Sequence, residues 1–370
     1  MNYSYWELKE WFTGIDFTII GSGIVGLNCA LTLIKRYPYA NILILEKGML
    51  PQGASTKNAG FACFGSLSEL IDDLKTHSEQ EVFNLVKKRW EGLHLLRQNL
   101  GDKNIDFQQN KGYELFRDEG FYYRCMARKK EINLLLEPIF KEATFTNDYN
   151  FFGFQDIHEN YITNNFEGQI DTGRMVAELL QKVQKLGVKI LNNITVEKFV
   201  DNGTFVSVKT NKYEFCTDKV FIATNGFAKE LFDENVKPAR AQVVITKPIK
   251  NLHIKGTFHL DKGYYYFRNI DNRILLGGGR NLDFKTEETT EFGQTEIVQN
   301  SLETILKEII LPDSDVEIEL SWSGIMGVGN QKKAIVKQLS NNVFCGVRLG
   351  GMGVAIGSLI GKELAAFVND

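Results

Sequence analysis

The run Asp16-Phe17-Thr18-Ile19-Ile20 breaks into Gly21-Ser22-Gly23-Ile24-Val25-Gly26 and passes at once into apolar residues at helix spacing, Ile24, Leu27, Leu31 and Ile34. A strand that turns this tightly into a helix constrains the fold more than any other stretch, because it defines the first half of a βαβ unit. Gly21 allows the turn, Gly23 lets the backbone approach a pyrophosphate, and Gly26 lets the helix sit close on the sheet. The helix start offers free N–H groups and partial positive charge to phosphate. After Arg36-Tyr37-Pro38, the run Asn41-Ile42-Leu43-Ile44-Leu45 reads as a second strand ending in Glu46, followed by Lys47. Glu46 lies 20 residues beyond Gly26, where a dinucleotide site needs a carboxylate for ribose hydroxyls.

With 370 residues, 43% of them apolar, the chain can bury a large core and divides into two domains. A formal charge of -3 in mixed signs gives no nucleic-acid footprint. Cys29, Cys63, Cys125, Cys216 and Cys345 are scattered without C-x-x-C spacing, which fits a reducing, cytoplasmic setting and suggests neither zinc nor a disulfide framework. No apolar run is long enough to insert in a membrane. The opening Met1 to Trp11 is acidic and aromatic, lacks a signal-peptide core, and reads as a short helix packed on the body. The N-x-S/T triplets at Asn2, Asn193 and Asn202 read as chance.

The segment from Gly48 to Gly65 is rich in glycine and small residues. Ser55, Thr56 and Asn58 could bond a phosphate or a ring edge, with Ala59 and Gly60 leaving room for a flat ring; the other reading is a flexible surface loop. The fingerprint with Glu46, followed by Gly53-Ala54-Ser55-Thr56-Lys57-Asn58-Ala59-Gly60, resembles the FAD-dependent D-amino-acid oxidase, glycine oxidase and amine oxidase superfamily. Ser4-Tyr5-Trp6 is similar to the lead of its gamma-glutamylputrescine-oxidase-like branch.

Further along, Leu67 to Leu100 reads as helix, Tyr113 to Phe116 as strand, and Phe121 to Phe140 as a long helix with a solvated charged face. Thr144 to Asn165 is aromatic and turn-rich, either a pocket wall or an irregular connection. A helix begins at Gly168 to Met175 and stops at Gly187. A strand, a β-meander and the buried run Lys219 to Ile222 follow, the last ending in Ala223-Thr224-Asn225-Gly226. The resemblance places Val196 near the adenine and Thr224, Asn225 and Gly226 beside the dinucleotide.

Lys237 to Thr246 resembles the family's P-x-R-G-Q crossover, with Ala241 in place of glycine. Gly263 to Arg268, a turn at Asp271-Asn272, and Arg273 to Arg280 read as a hairpin. Alternation puts Tyr264 and Tyr266 on one face and Tyr265 with Phe267 on the other, so one pair lines a pocket or both are sheet packing. A helix spans Glu291 to Ile310. Near the end, Ser321 to Gly327 resembles W-x-G-I-M-G, and Gly350-Gly351-Met352-Gly353-Val354 opens a last helix whose start, in the family, faces the flavin pyrimidine edge.

The resemblance implies an α/β fold: a doubly wound Rossmann-type FAD-binding domain over 15–80, 155–235 and 321–370, and a mostly antiparallel α+β substrate domain over 81–154 and 236–320. It implies non-covalent FAD, since Asn58 and Gly324 stand where relatives that bind flavin covalently carry histidine or cysteine. The activity implied is oxidation of an amine or amino-acid C–N bond by hydride transfer to flavin N5, followed by imine hydrolysis, with no obligatory acid or base. Lys57 and Asn58 are expected near flavin N5 or O4, and Tyr264 or Tyr266 against a small-molecule substrate. Met352 and Ser358 depart from the family's histidine and proline, and Met326 from glycine oxidase's carboxylate-binding arginine. Arg268, Arg280 and Arg348 are then fallback clamps. Alternatives are a 2-hydroxy-acid or amino-acid dehydrogenase passing electrons to a quinone, a nicotinamide dehydrogenase, and a non-catalytic flavin-binding protein. No P-loop, histidine metal spacing or G-x-S-x-G elbow is present.

Overall fold

The computed structural model describes residues 3–312 and 314–368. Asn2 lies outside them. Two eight-stranded sheets organise the chain. The first grows from strand Ile15–Ile20, which pairs in parallel with Ile42–Leu45 on one side and Glu214–Ile222 on the other. Lys189–Leu191 and Val343–Val347 extend it in parallel at either side, and Ile335–Ser340 closes one edge antiparallel. The meander Val196–Asp201 and Val206–Thr210 hangs from Glu214–Ile222. Helix Ile24–Arg36 is buried over most of its surface because it lies between this sheet and helix Gly353–Ala365. Its largely apolar character follows from that position.

The second sheet runs Ile318–Val328, Lys237–Thr246, Arg273–Gly278, Tyr265–Ile270, Thr257–Leu260, Gly112–Leu115, Asn160–Asn164 and Phe145–Tyr149. All its pairs are antiparallel except Thr257–Leu260 with Gly112–Leu115. Asp271 and Asn272 both take positive φ, at 47° and 58°, as a two-residue hairpin turn requires. The doubly wound α/β architecture with an antiparallel partner sheet is the one expected.

Several elements differ from expectation. The stretch from Leu67 to Leu100 is two helices, Leu67–Asp73 and Glu79–Leu100, each opened by a capping box, Ser66 with Glu69 and Ser78 with Glu81. Neither open reading of Thr144 to Asn165 as a whole describes it: Phe145–Tyr149 and Asn160–Asn164 are sheet strands, and their aromatic linker covers the core around Tyr161 and Phe258. The helix expected at Gly168 starts at Thr172, where Asp171 caps it. The one expected at Glu291 starts at Glu296 and ends in a wide π turn, Ile305–Ile310. The N-terminal helix forms, but Tyr5 and Trp6 stay exposed and Phe12 anchors it on Tyr213.

Sheet membership also crosses the expected domain boundaries. Asn160–Asn164 and most of Ile318–Val328 belong to the second sheet by hydrogen bonding, while Glu79–Leu100 packs into the first core through Leu93, Leu96 and Leu100. That helix meets Gly353–Ala365 at Gly92, where a Cβ would fall 2.2 Å from the Ala355 carbonyl oxygen. Gly92→Ala is therefore expected to lower stability by about 1–3 kcal/mol, read as a lower urea midpoint.

Candidate functional site

The carboxyl ends of the parallel strands and the face of the second sheet enclose one chamber of about 810 Å³. That is where open α/β sheets place ligands. At one end stand Gly21, Gly23, Ile24 and Val25, with Glu46 and Lys47 at the end of the neighbouring strand. Ser22 and Gly26 support this end without lining it. A Cβ on Gly26 would sit 2.0 Å from the Gly21 carbonyl oxygen, so only glycine allows this approach of helix to turn. Ser22 donates from its N–H and hydroxyl to Glu46 Oε2, at 3.0 and 2.6 Å, and Gly48 N–H donates to Oε1 at 3.0 Å. The buried carboxylate is thus oriented at the chamber wall.

Along the wall lie Ser55, Lys57, Asn58, Ala59 and Gly60, then Val196 from the meander. Ser55 Oγ accepts the Ile24 N–H at 2.9 Å and so ties this loop to the helix start. Asn58 is occupied within the loop: its amide donates to the carbonyls of Ala54 and Ser55, and its Oδ1 accepts from Gly60 N–H and Thr172 Oγ1. The loop is thereby ordered by its own polar side chains rather than left as a flexible surface segment. Thr56 turns away, donating to the Pro51 carbonyl. Thr224 and Asn225 line the chamber; Gly226 packs instead on the backbone of Met326.

The last helix opens on the opposite side through Gly351, Met352, Gly353 and Val354, with Gly324 nearby. Tyr264 and Tyr266 face the chamber from the second sheet, while Tyr265 and Phe267 pack behind it. The Tyr266 ring lies over Gly277, where a Cβ would fall 2.7 Å from its hydroxyl oxygen, and burial pushes that hydroxyl's pKa up to about 12. The hydroxyl therefore keeps its proton at neutral pH.

The three arginines separate clearly. Arg348 donates its guanidinium to the carbonyls of Lys333 and Asn235 and faces no chamber. Arg268 is 2% exposed behind Gly60 and does not line the chamber. Arg280 lines it, stacked over Phe284 at 4.9 Å, with no hydrogen-bond partner among the described residues. Sequence reasoning missed His259, Phe61, Cys63, Glu69 and Lys262, which also line the chamber. His259 Nε2 lies 2.6 Å from Glu167 Oε1, a pair 92 positions apart that no local motif signals.

The donor set fits a flavin dinucleotide: two helix starts open into one elongated space, an oriented carboxylate stands beside the first, and a glycine-lined strand end leaves room for backbone approach. Residues 16–367 match the family model described as FAD dependent oxidoreductase. The chain belongs to that family, and it is an FAD-dependent oxidoreductase. It is 20% identical to a probable oxidoreductase, OrdL, of Haemophilus influenzae, over 95% of this chain and 82% of that protein. Its fold is similar to glycine oxidase from Geobacillus kaustophilus, with a TM-score of 0.74 at 17% identity, covering 96% and 95% of the two chains. L-proline dehydrogenase from P. horikoshii is equally similar, with a TM-score of 0.74 at 18% identity over 95% and 92%. Among the described residues no helix is long and apolar enough to cross a membrane, no cluster of metal-ligating side chains occurs, and the five cysteines are free.

Burial alone would lower the His259 pKa, but Glu167, Glu69 and Glu114 outweigh it and lift the value to about 9 from an ordinary 6.5. A group raised on folding stabilises fully below its unfolded pKa and loses that effect as pH rises through the folded one. Stability is therefore expected to fall between about pH 6.5 and 9 in urea titrations, and His259→Gln should flatten that slope.

Proposed function

We propose that the enzyme oxidises the C–N bond of an amine or amino acid, yielding an imine that water hydrolyses. The observation that carries this reading is the chamber itself, whose dinucleotide end continues without a break into a space walled by Tyr264, Tyr266 and Arg280. Glycine oxidase and L-proline dehydrogenase, both similar in fold, support it by the substrates in their names. Bound FAD supplies the two-electron acceptor. Glu46 would hold the ribose hydroxyls, Gly23 and the helix start at Ile24 the pyrophosphate, and the start at Gly353 the ring's pyrimidine edge. Asn58 acts by shaping the loop, and Lys57 is the side chain of that loop left open to the flavin.

On the substrate side two groups orient: the Tyr266 hydroxyl donates to a bound polar group, and Arg280 is the guanidinium available to a carboxylate. The lead Ser4-Tyr5-Trp6 supports the gamma-glutamylputrescine-oxidase-like branch, so the substrate panel includes gamma-glutamylated diamines beside amino acids. The cysteine pattern supports a cytoplasmic setting.

The purified protein should show oxidised-flavin bands and release FAD on heating; a colourless protein that cannot be reconstituted would overturn the reading. Anaerobic bleaching by one amine of the panel, with ammonia or an amine as product, would support it, and peroxide in air would separate an oxidase from a quinone-linked dehydrogenase. Glu46→Gln should weaken FAD binding roughly 10- to 100-fold in fluorescence titration. Tyr266→Phe should lower kcat/KM about tenfold; if it and Tyr264→Phe both leave kcat/KM intact, the tyrosines have no part in substrate binding.

A further inference from the structure

A row of residues crosses the second sheet on its chamber face. Glu114, His259, Tyr266 and Gly277 stand directly opposite one another, strand by strand. His259 is 6% exposed, lines the chamber and meets the Phe61 ring edge-on at 5.3 Å. Its Nε2 faces Glu167, which is wholly buried and also accepts a hydrogen bond from Thr257 Oγ1 at 2.8 Å. Space for this carboxylate exists because position 112 is glycine: a Cβ there would fall 2.4 Å from Glu167 Oε2. His259 Nδ1 has no partner among the described residues, yet it is not one of the polar atoms sealed in the interior. It is therefore accessible, on a residue that lines the chamber.

We propose that His259 takes the proton that a protonated amine must lose before the C–H bond beside its nitrogen is oxidised, with Glu167 as the positioning residue. This rests on the function proposed above. An ionised carboxylate only accepts, so it keeps a proton on Nε2, and once the ring has lost its second proton the lone pair lies on Nδ1. On transfer the N–H bond of the ammonium breaks and its electron pair stays on the substrate nitrogen. Where the ring enters the step as imidazolium, its Nδ1 proton first passes to solvent; the ammonium proton then joins Nδ1, and Nε2–H continues to donate to Glu167, so one proton is released per amine bound. No electron leaves the substrate in this step.

The charged surroundings support the role. Glu114, opposite His259 on strand Gly112–Leu115, and Glu69, on helix Leu67–Asp73, act on the ring through their charges. Cys63, Lys262 and Tyr266 share the chamber wall, and Asp261 follows the strand that carries the histidine. The acids hold the ring's pKa at about 9, within about 1.5 units of an alkyl ammonium. An ammonium entering beside the imidazolium raises the cost of the second positive charge, so the pair titrates as a unit and sheds one proton on binding. The acid cluster favours retaining the remaining positive charge.

The test uses the holoenzyme and tert-butylamine, which has no hydrogen on the carbon beside nitrogen and so binds without turnover. Calorimetry at pH 7.5 in two buffers of different ionisation enthalpy should show release of about one proton per amine bound. His259→Gln, with flavin spectrum and Tm retained, should release almost none. In flavin reduction, His259→Gln should slow a high-pKa amine about 100-fold and leave an amine already neutral at the assay pH nearly unchanged. Glu167→Gln and Gly112→Ala, which disturb the ring's support, should shift the pH profile of the high-pKa amine without abolishing reduction. Equal slowing of both amines, or proton release unchanged in His259→Gln, would overturn the proposal. If wild-type flavin is reduced only by a 2-hydroxy acid, the amine reading fails instead; the hydroxyl proton then replaces the ammonium proton, and loss of the pH dependence in His259→Gln still decides the role of the histidine.

Discussion

The chamber depends on the contact between Gly26 and the Gly21 carbonyl. With 2.0 Å between that oxygen and the position a Cβ would take, no side chain is tolerated, and the first turn of helix Ile24–Arg36 rests directly on the turn out of its strand. This approach aims the helix start at the chamber rather than past it. Once it is set, Ser22 reaches Glu46 across the parallel pair, and Ser55 reaches the Ile24 N–H from the next loop. A single missing methyl group thus governs three parts of the dinucleotide end.

The substrate end is held differently, by buried polar hubs rather than by backbone approach. Glu287 anchors the irregular segment after Arg280 to the second sheet: Arg240 binds it through two nitrogens, at 2.7 and 3.2 Å, and Gln242 and Thr295 donate to the same carboxylate. Removing one partner of so buried a pair typically costs about 3–5 kcal/mol. That segment carries Arg280, Phe284 and Phe292, two of which line the chamber. Its geometry is therefore fixed from behind while its front face stays exposed, so substrate-facing residues can vary without loss of the wall.

The first βαβ unit was legible because each of its steps is local: an apolar run, glycines at fixed spacing, helix period, a second strand and an acid. The alternation that separates Tyr264 and Tyr266 from Tyr265 was legible for the same reason. Local signals were also overlooked. Ser66 with Glu69 and Ser78 with Glu81 are capping boxes written in the sequence, and they mark two helices where a continuous apolar period suggested one. Strands Phe145–Tyr149 and Asn160–Asn164 were obscured because polar residues interrupt their apolar ones, Thr163 and Asn164 even where buried, and because their linker is aromatic. Arg348 looked available because its neighbours carry chemistry, but its guanidinium is consumed by two backbone carbonyls that no sequence pattern announces.

What remained invisible arises from register between distant strands. Glu114 stands beside His259 because Gly112–Leu115 pairs in parallel with Thr257–Leu260, the one parallel ladder in an otherwise antiparallel sheet. A shift of that ladder by one residue would turn His259 toward the aromatic core of Phe258 and Phe267 and set Phe258 in the chamber. The apolar packing of Phe258, stacked on Phe267 at 4.5 Å and on Tyr113 at 5.2 Å, therefore fixes which face the histidine occupies. Hydrophobic burial behind the sheet selects the register, and the register brings a buried imidazole, its carboxylate and a tyrosine to a single wall. The polar chemistry on one face is thus set by the aromatic packing on the other.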